Sequence, residues 1–251
     1  MRKKMVAGNW KMFGTRHEAR ELLEAIQQGA SALPSVDIVV FPSFVHLPQA
    51  ELTLAKGPVA WGGQNLYIGE SGAFTGEVSG PMLRDYGCRY VLVGHSERRL
   101  LFREELTLVA AKFKAALACG LQPVLCVGET KTERERQATE TVIKEQLESV
   151  IQAAGIQSFA KAVIAYEPVW AIGTGLTATP EEAQAVHAMI RQHLIKHNAD
   201  IGHTMQILYG GSVKADNAKG LFAMSDIDGG LVGGASLHAE SFLAICQAAQ
   251  A

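Results

Sequence analysis

The chain has 251 residues, of which 48% are hydrophobic and 19% charged, with a formal net charge of -2. Such a composition can bury a large core and excludes a disordered or collagen-like chain. The near-neutral balance supplies no global field for nucleic acid or an anionic membrane, so neither is expected as a partner and any anion recognition has to be local.

Short apolar runs recur along the chain at 5–7, 38–41, 59–61, 90–93, 123–127, 162–166, 206–209 and 231–232. They predict eight strands. Apolar on both faces, they read as parallel strands covered by helices. Helical patterns lie between most of them, as where Ala183, Val186, Met189, Ile190 and Leu194 share one helix side. That helix opens on Thr179-Pro180-Glu181-Glu182, a capping box with proline at the first helical position. No linker or composition break divides the chain, and no G-x-G-x-x-G follows the first strand. The expected fold is therefore α/β, a (β/α)8 barrel of eight parallel strands in one domain spanning 1–251.

Four cysteines, Cys88, Cys119, Cys126 and Cys246, show no C-x-x-C spacing, which argues against a metal site or disulfide framework and for a reducing, cytoplasmic setting. The basic start at Arg2, Lys3 and Lys4 is followed by an apolar run broken at Asn9 and Lys11, so no export segment is expected. The most apolar stretch, 163–172, carries Glu167 and Pro168 in its middle, far short of the ~20 apolar residues of a membrane span. The Glu-, Arg- and Lys-rich segment 131–144 reads as a solvated helix face.

In a parallel barrel, polar residues at the carboxyl ends of the strands converge on one mouth. Four such ends stand out: Gly8-Asn9-Trp10-Lys11, Val93-Gly94-His95-Ser96-Glu97, Ala165-Tyr166-Glu167-Pro168 and Tyr209-Gly210-Gly211-Ser212. Alone, a histidine after a strand is more often a satisfied structural residue, and a glutamate before proline a turn residue. Together at one mouth they are hard to dismiss. Glycines cluster at Gly173 and Gly175, Gly210 and Gly211, and Gly233 and Gly234, where backbone N–H groups can approach a phosphate after strands seven and eight.

These segments, with Arg98-Arg99, Val169-Trp170-Ala171-Ile172-Gly173-Thr174-Gly175 and Val232-Gly233-Gly234-Ala235-Ser236-Leu237, resemble in order the signature segments of the triosephosphate isomerase family. The resemblance implies an isomerase moving a proton between adjacent carbons of a three-carbon sugar phosphate, dihydroxyacetone phosphate to D-glyceraldehyde 3-phosphate, through an enediolate. It implies Glu167 as base, His95 as electrophile, Asn9 and Lys11 as polar groups on the substrate, and Glu97 close to Lys11. It places the phosphate on Gly173, Ser212, Gly233 and Gly234, leaves Cys126 as site support, and calls for no cofactor or metal. A neutral imidazole beside a helix N-terminus is a known property of this family, and that protonation state is carried over to His95 by resemblance. The segment 168–178 resembles the family's lid, with Leu176 where lysine is usual.

Segment 64–78 holds Leu66, Tyr67, Ile68, Phe74 and Val78 among glycines, a set that a monomer is expected to leave largely in water. A homodimer is expected, and the resemblance implies that Thr75 reaches Asn9, Lys11 and His95 of the partner chain. A Schiff-base aldolase would rest on Lys11, which the family pairs with Glu97; a catalytically silent phosphate-binding barrel is disfavoured by Glu167 and His95 together. His193 and His197, one helical turn apart with no acidic residue between them, read as surface histidines rather than metal ligands.

Overall fold

The computed structural model describes residues 2–172 and 177–250. Eight strands, β1 (Lys4–Asn9), β2 (Val36–Phe41), β3 (Ala60–Gly63), β4 (Tyr90–Val93), β5 (Gln122–Val127), β6 (Val163–Tyr166), β7 (Ile207–Tyr209) and β8 (Gly229–Val232), pair in parallel in chain order, and β8 pairs β1 to close the barrel. Closure uses a glycine, because a Cβ on Gly229, at φ +132°, would lie 1.8 Å from the Met5 carbonyl oxygen.

Strand side chains alternate between faces, and the two faces feed two cores. Met5, Ala7, Val39, Phe41, Leu92, Val124, Cys126, Val163, Ala165, Leu208 and Leu231 fill the barrel interior. Their neighbours Val6, Val40, Val91, Val93, Leu125, Ile164 and Ile207 pack outward against the helices. Both faces are therefore buried, which is why the strands read as continuous apolar runs.

The helix Pro180–His197 starts as expected: Thr179 accepts from the N–H of Glu182, Glu182 returns the bond to the N–H of Thr179, and Pro180 takes the first helical position. The charged segment is two helices, Lys131–Glu135 and Thr139–Ala154, carrying the exposed pairs Lys131–Glu135 and Lys144–Glu140. Among the described residues, no helix is long and apolar enough to cross a membrane.

The 64–78 excursion needs one correction. Leu66 is fully buried in its own barrel, and Tyr67 and Val78 are half-buried, so the expected apolar set is not all left in water. What stays exposed is Ile68 at 43% and Phe74 at 45%, with the Phe74 ring 4.4 Å from that of Tyr67. The stem is clamped by Lys112, whose ammonium donates to Asn65 Oδ1 at 2.7 Å.

Candidate active site

The alternation that fills the barrel also aims its mouth. Continuing the inward parity of Met5 and Ala7 reaches Asn9; that of Val163 and Ala165 reaches Glu167; Leu208 leads to Gly210 and Leu231 to Gly233. These residues, with Lys11, His95, Ser212, Lys214 and Gly234, line one cavity of about 310 Å³. Cys126 points inward one layer below, and burial pushes its thiol far above the ordinary value, so it is a filler and not a nucleophile. Gly173 and Leu176 lie outside the described residues, whereas Ala171 and Ile172 border the cavity.

Glu167 is buried, and both carboxylate oxygens are engaged. Oε2 accepts the N–H of Ser96 at 2.8 Å, and Oε1 lies 3.0 Å from His95 Nε2. Burial acts to raise its pKa, but His95 and the Ser96 hydrogen bond outweigh burial and hold the carboxyl below its ordinary value. Gly210 makes room, since a Cβ there would sit 2.9 Å from Glu167 Cγ.

His95 is the N-cap of the helix Ser96–Leu101, and its Nδ1 accepts the N–H of Glu97 at 3.2 Å. An accepting Nδ1 carries no proton, so the neutral ring presents Nε2–H to Glu167. Burial acts to lower the His95 pKa, yet the Glu167 carboxylate reverses this and leaves it raised. That rise belongs to the pair: once the carboxylate turns away, burial and the helix N-terminus on Nδ1 both favour the neutral ring.

Lys11 has a backbone φ of +51°, unusual for a residue with a Cβ. Three contacts hold it there. Its N–H donates to Asn9 Oδ1 at 3.0 Å, and its carbonyl accepts from Ser43 Oγ and Gln64 Nε2, each at 2.8 Å. The side chain then extends to Glu97 Oε1, 2.5 Å from its ammonium. Ser43 and Gln64 escape sequence reasoning, because they act through a carbonyl distant along the chain.

The same is true of Glu129, which is buried just after β5. Its Oε1 accepts from Tyr166 Oη at 3.1 Å and from Trp170 Nε1 at 3.0 Å, tying the start of the 168–178 segment to the barrel. Arg134 stacks on Trp170, 4.4 Å from the ring centroid, and pairs with Glu182 at 2.8 Å. Thr75 is exposed on the 64–78 excursion, apart from the cavity of its own chain. The arrangement offers a carboxylate, a neutral ring donor and an ammonium around one volume beside a glycine-rich wall, which suits proton abstraction next to a carbonyl on an anionic substrate.

The sequence profile of the family described as Triosephosphate isomerase matches residues 4–249. A triosephosphate isomerase of Thiobacillus denitrificans is 57% identical over 249 residues, 99% of each chain. One of Nitrosomonas europaea is 55% identical over 245 residues, covering 98% of this chain and 97% of the relative. One of Coxiella burnetii is 51% identical over 247 residues, 98% of this chain and 97% of the relative.

Proposed function

The chain belongs to the triosephosphate isomerase family, and from that premise we infer which of its residues carry the reaction. It is an isomerase that interconverts dihydroxyacetone phosphate and D-glyceraldehyde 3-phosphate, the triose step of glycolysis and gluconeogenesis. We take 1–251 as one catalytic domain acting in the cytoplasm as a homodimer without a cofactor.

Removing a proton beside a carbonyl builds negative charge on oxygen, so a carboxylate is needed at carbon and fixed donors at oxygen. Glu167 is the base. Its oxygens are committed to His95 and Ser96, so catalysis requires it to release at least one and turn to the substrate carbon. That turn lowers the proton affinity of His95, whose Nε2–H then donates to the carbonyl and enediolate oxygens as a neutral acid. Lys11 adds a fixed positive charge for the dianion and the enediolate, and Asn9 orients the Lys11 backbone. Ser212, Gly233 and Gly234, with Gly173 from the lid, supply the phosphate cradle. Lid closure keeps water out and shields the enediolate from eliminating its phosphate. Glu97 fixes the Lys11 ammonium through their ion pair.

The observation that carries this reading is the paired engagement of Glu167 with His95 and the Ser96 N–H inside the cavity that Lys11 enters. Glu167→Gln keeps the shape and removes the base. In a coupled assay with D-glyceraldehyde 3-phosphate, kcat is expected to fall by ~10³-fold or more with a much smaller change in KM. Near-normal turnover overturns the assignment.

The homodimer rests on exposed apolar groups close to the mouth. Met12 is 93% exposed and Phe13 57%, and they join Ile68, Phe74, Met82 and Phe102 as large apolar side chains left in solvent by one chain. A self-complementary two-fold interface would bury them and bring Thr75 to the partner's Asn9, Lys11 and His95. Thr75→Arg is expected to yield a weakly active monomer by sedimentation at micromolar concentration; a fully active parent monomer contradicts the proposal.

A further inference from the structure

We propose that Glu148, His193 and His197 form a Zn²⁺ site that ties together the two helices on either side of β6. The histidines are one turn apart on the helix Pro180–His197, so both rings leave the same face. The acidic partner missing from the sequence between them comes from the neighbouring helix, Thr139–Ala154. Glu148 Oε1 is 2.9 Å from His193 Nε2 and 2.6 Å from His197 Nε2, and one ligand atom from each residue lies within 4.8 Å of the others.

Two imidazole nitrogens and a carboxylate oxygen are the borderline donors that suit Zn²⁺, and three protein ligands leave a fourth position for water. Ligands about 2.0–2.1 Å from a tetrahedral zinc stand roughly 3.3–3.4 Å apart. The Glu148 oxygen needs to move away from each imidazole nitrogen by less than ~1 Å, and the side chains of Glu148 and His197, 31% and 32% exposed, have solvent in which to do so. His193 supplies a second observation. Its Nε2 is buried and faces only the Glu148 oxygen, 2.9 Å away, with which it makes no well-formed hydrogen bond. A metal would satisfy that nitrogen's lone pair where the carboxylate does not. The rings meet edge to face with centroids 5.1 Å apart, which leaves both Nε2 atoms turned to the same oxygen. Lys144, the nearby cation, is already held by Glu140 at 2.5 Å.

The site is structural. All three ligands come from the outer helical ring, and His193 and His197 occupy the last two turns of a helix whose first turn follows the lid, so they sit at the end of the barrel away from the mouth. Zn²⁺ bound there would brace the helices flanking the strand that delivers Glu167 without touching substrate.

The test titrates Zn²⁺ into chelator-stripped full-length protein, following heat by calorimetry and unfolding by a thermal melt. One saturable Zn²⁺ per chain is expected, with Tm raised by roughly 5–10 °C when free Zn²⁺ is about 100 times Kd. His193→Gln with His197→Gln should remove the binding and the Tm rise, Glu148→Gln should weaken affinity at least ~10-fold, and all should turn over triose phosphate as the parent does. If the double variant folds poorly, the exposed His197→Gln alone carries the same expectation. Absence of saturable binding in the parent overturns the site, as does binding of unchanged affinity and stoichiometry in the histidine variants.

Discussion

Two clusters of buried and partly buried polar groups sit at opposite ends of the barrel, and they differ in how completely they are satisfied. At the floor, Arg191 spends its guanidinium on every side: Nε on Asp226 Oδ1 at 2.6 Å, Nη1 on the carbonyls of Gly202 and Met205, and Nη2 on Asp228 Oδ2 and the Asp226 carbonyl. Asp228 in turn accepts from Arg2 Nε and the Ile207 N–H. At the mouth, His95, Glu167, Lys11 and Glu97 also pair with one another, but around a cavity of about 310 Å³ into which a donor or acceptor can be redirected. The floor cluster has one good arrangement and holds the ends of β1, β7 and β8 together. The mouth cluster has a resting arrangement that a substrate can replace. The same chemistry of paired polar groups therefore stabilises where it is closed and reacts where it is open.

The largest break in this comparison comes from the floor. Arg191→Met leaves Asp226 without its cation, Asp228 with Arg2 alone and the Gly202 and Met205 carbonyls without Nη1, and should cost about 3–5 kcal/mol in urea unfolding, while kcat of the folded fraction stays within a few-fold of the parent. A variant as stable as the parent would show that the cluster is not structural. At the mouth, Lys11→Met should weaken binding of a dianionic phosphate inhibitor by ~10- to 150-fold, the loss of about 1.5–3 kcal/mol from a charged hydrogen bond. An unchanged inhibition constant removes Lys11 from the substrate's surroundings.

A smaller effect sharpens the contrast between closed and open sites by titration. His187 is fully buried behind β6 and β7, and burial, the largest cause, pulls its pKa from 6.5 to about 3. The folded chain thus stays neutral there where the unfolded chain takes up a proton. Stability from this group is complete above pH 6.5 and is lost as pH falls toward 3, by about 1.4 kcal/mol per pH unit once well below 6.5. Unfolding free energies of the parent and His187→Gln between about pH 4.5 and 7 should converge toward acid by that slope. Parallel curves would mean that His187 is protonated in the fold.

Most of the barrel is legible in the sequence because both strand faces are buried, and apolar runs mark such strands directly. Sequence reasoning fails where tertiary contact overrides composition. β3 extends through Gly62 and Gly63, which no strand propensity suggests, because a Cβ on Gly62 would lie 2.3 Å from the Tyr90 carbonyl oxygen of the next strand. Asn9, Lys11, His95 and Glu167 can be picked out because each lies at or just past the carboxyl end of a strand, within its own local motif. Ser43 and Gln64 cannot, since their hold on the Lys11 carbonyl spans 32 and 53 residues. Glu148 escapes for the same reason: it meets His193 and His197 across a helix–helix contact, and nothing in the spacing of the two histidines announces it. Leu66 reads as solvent-facing because a glycine-rich neighbourhood hides the side on which a loop packs.

Unfolding free energy and turnover of Glu167→Gln, measured on the same preparation, test the contrast between the two clusters most directly. In this variant the amide oxygen can still accept the Ser96 N–H while the amide NH2 faces His95 Nε2, so one buried hydrogen bond is lost and stability should fall by no more than about 1–3 kcal/mol while kcat falls by ~10³-fold or more. A variant destabilised by several kcal/mol that keeps near-parental turnover would place Glu167 with the structural charges and contradict the account.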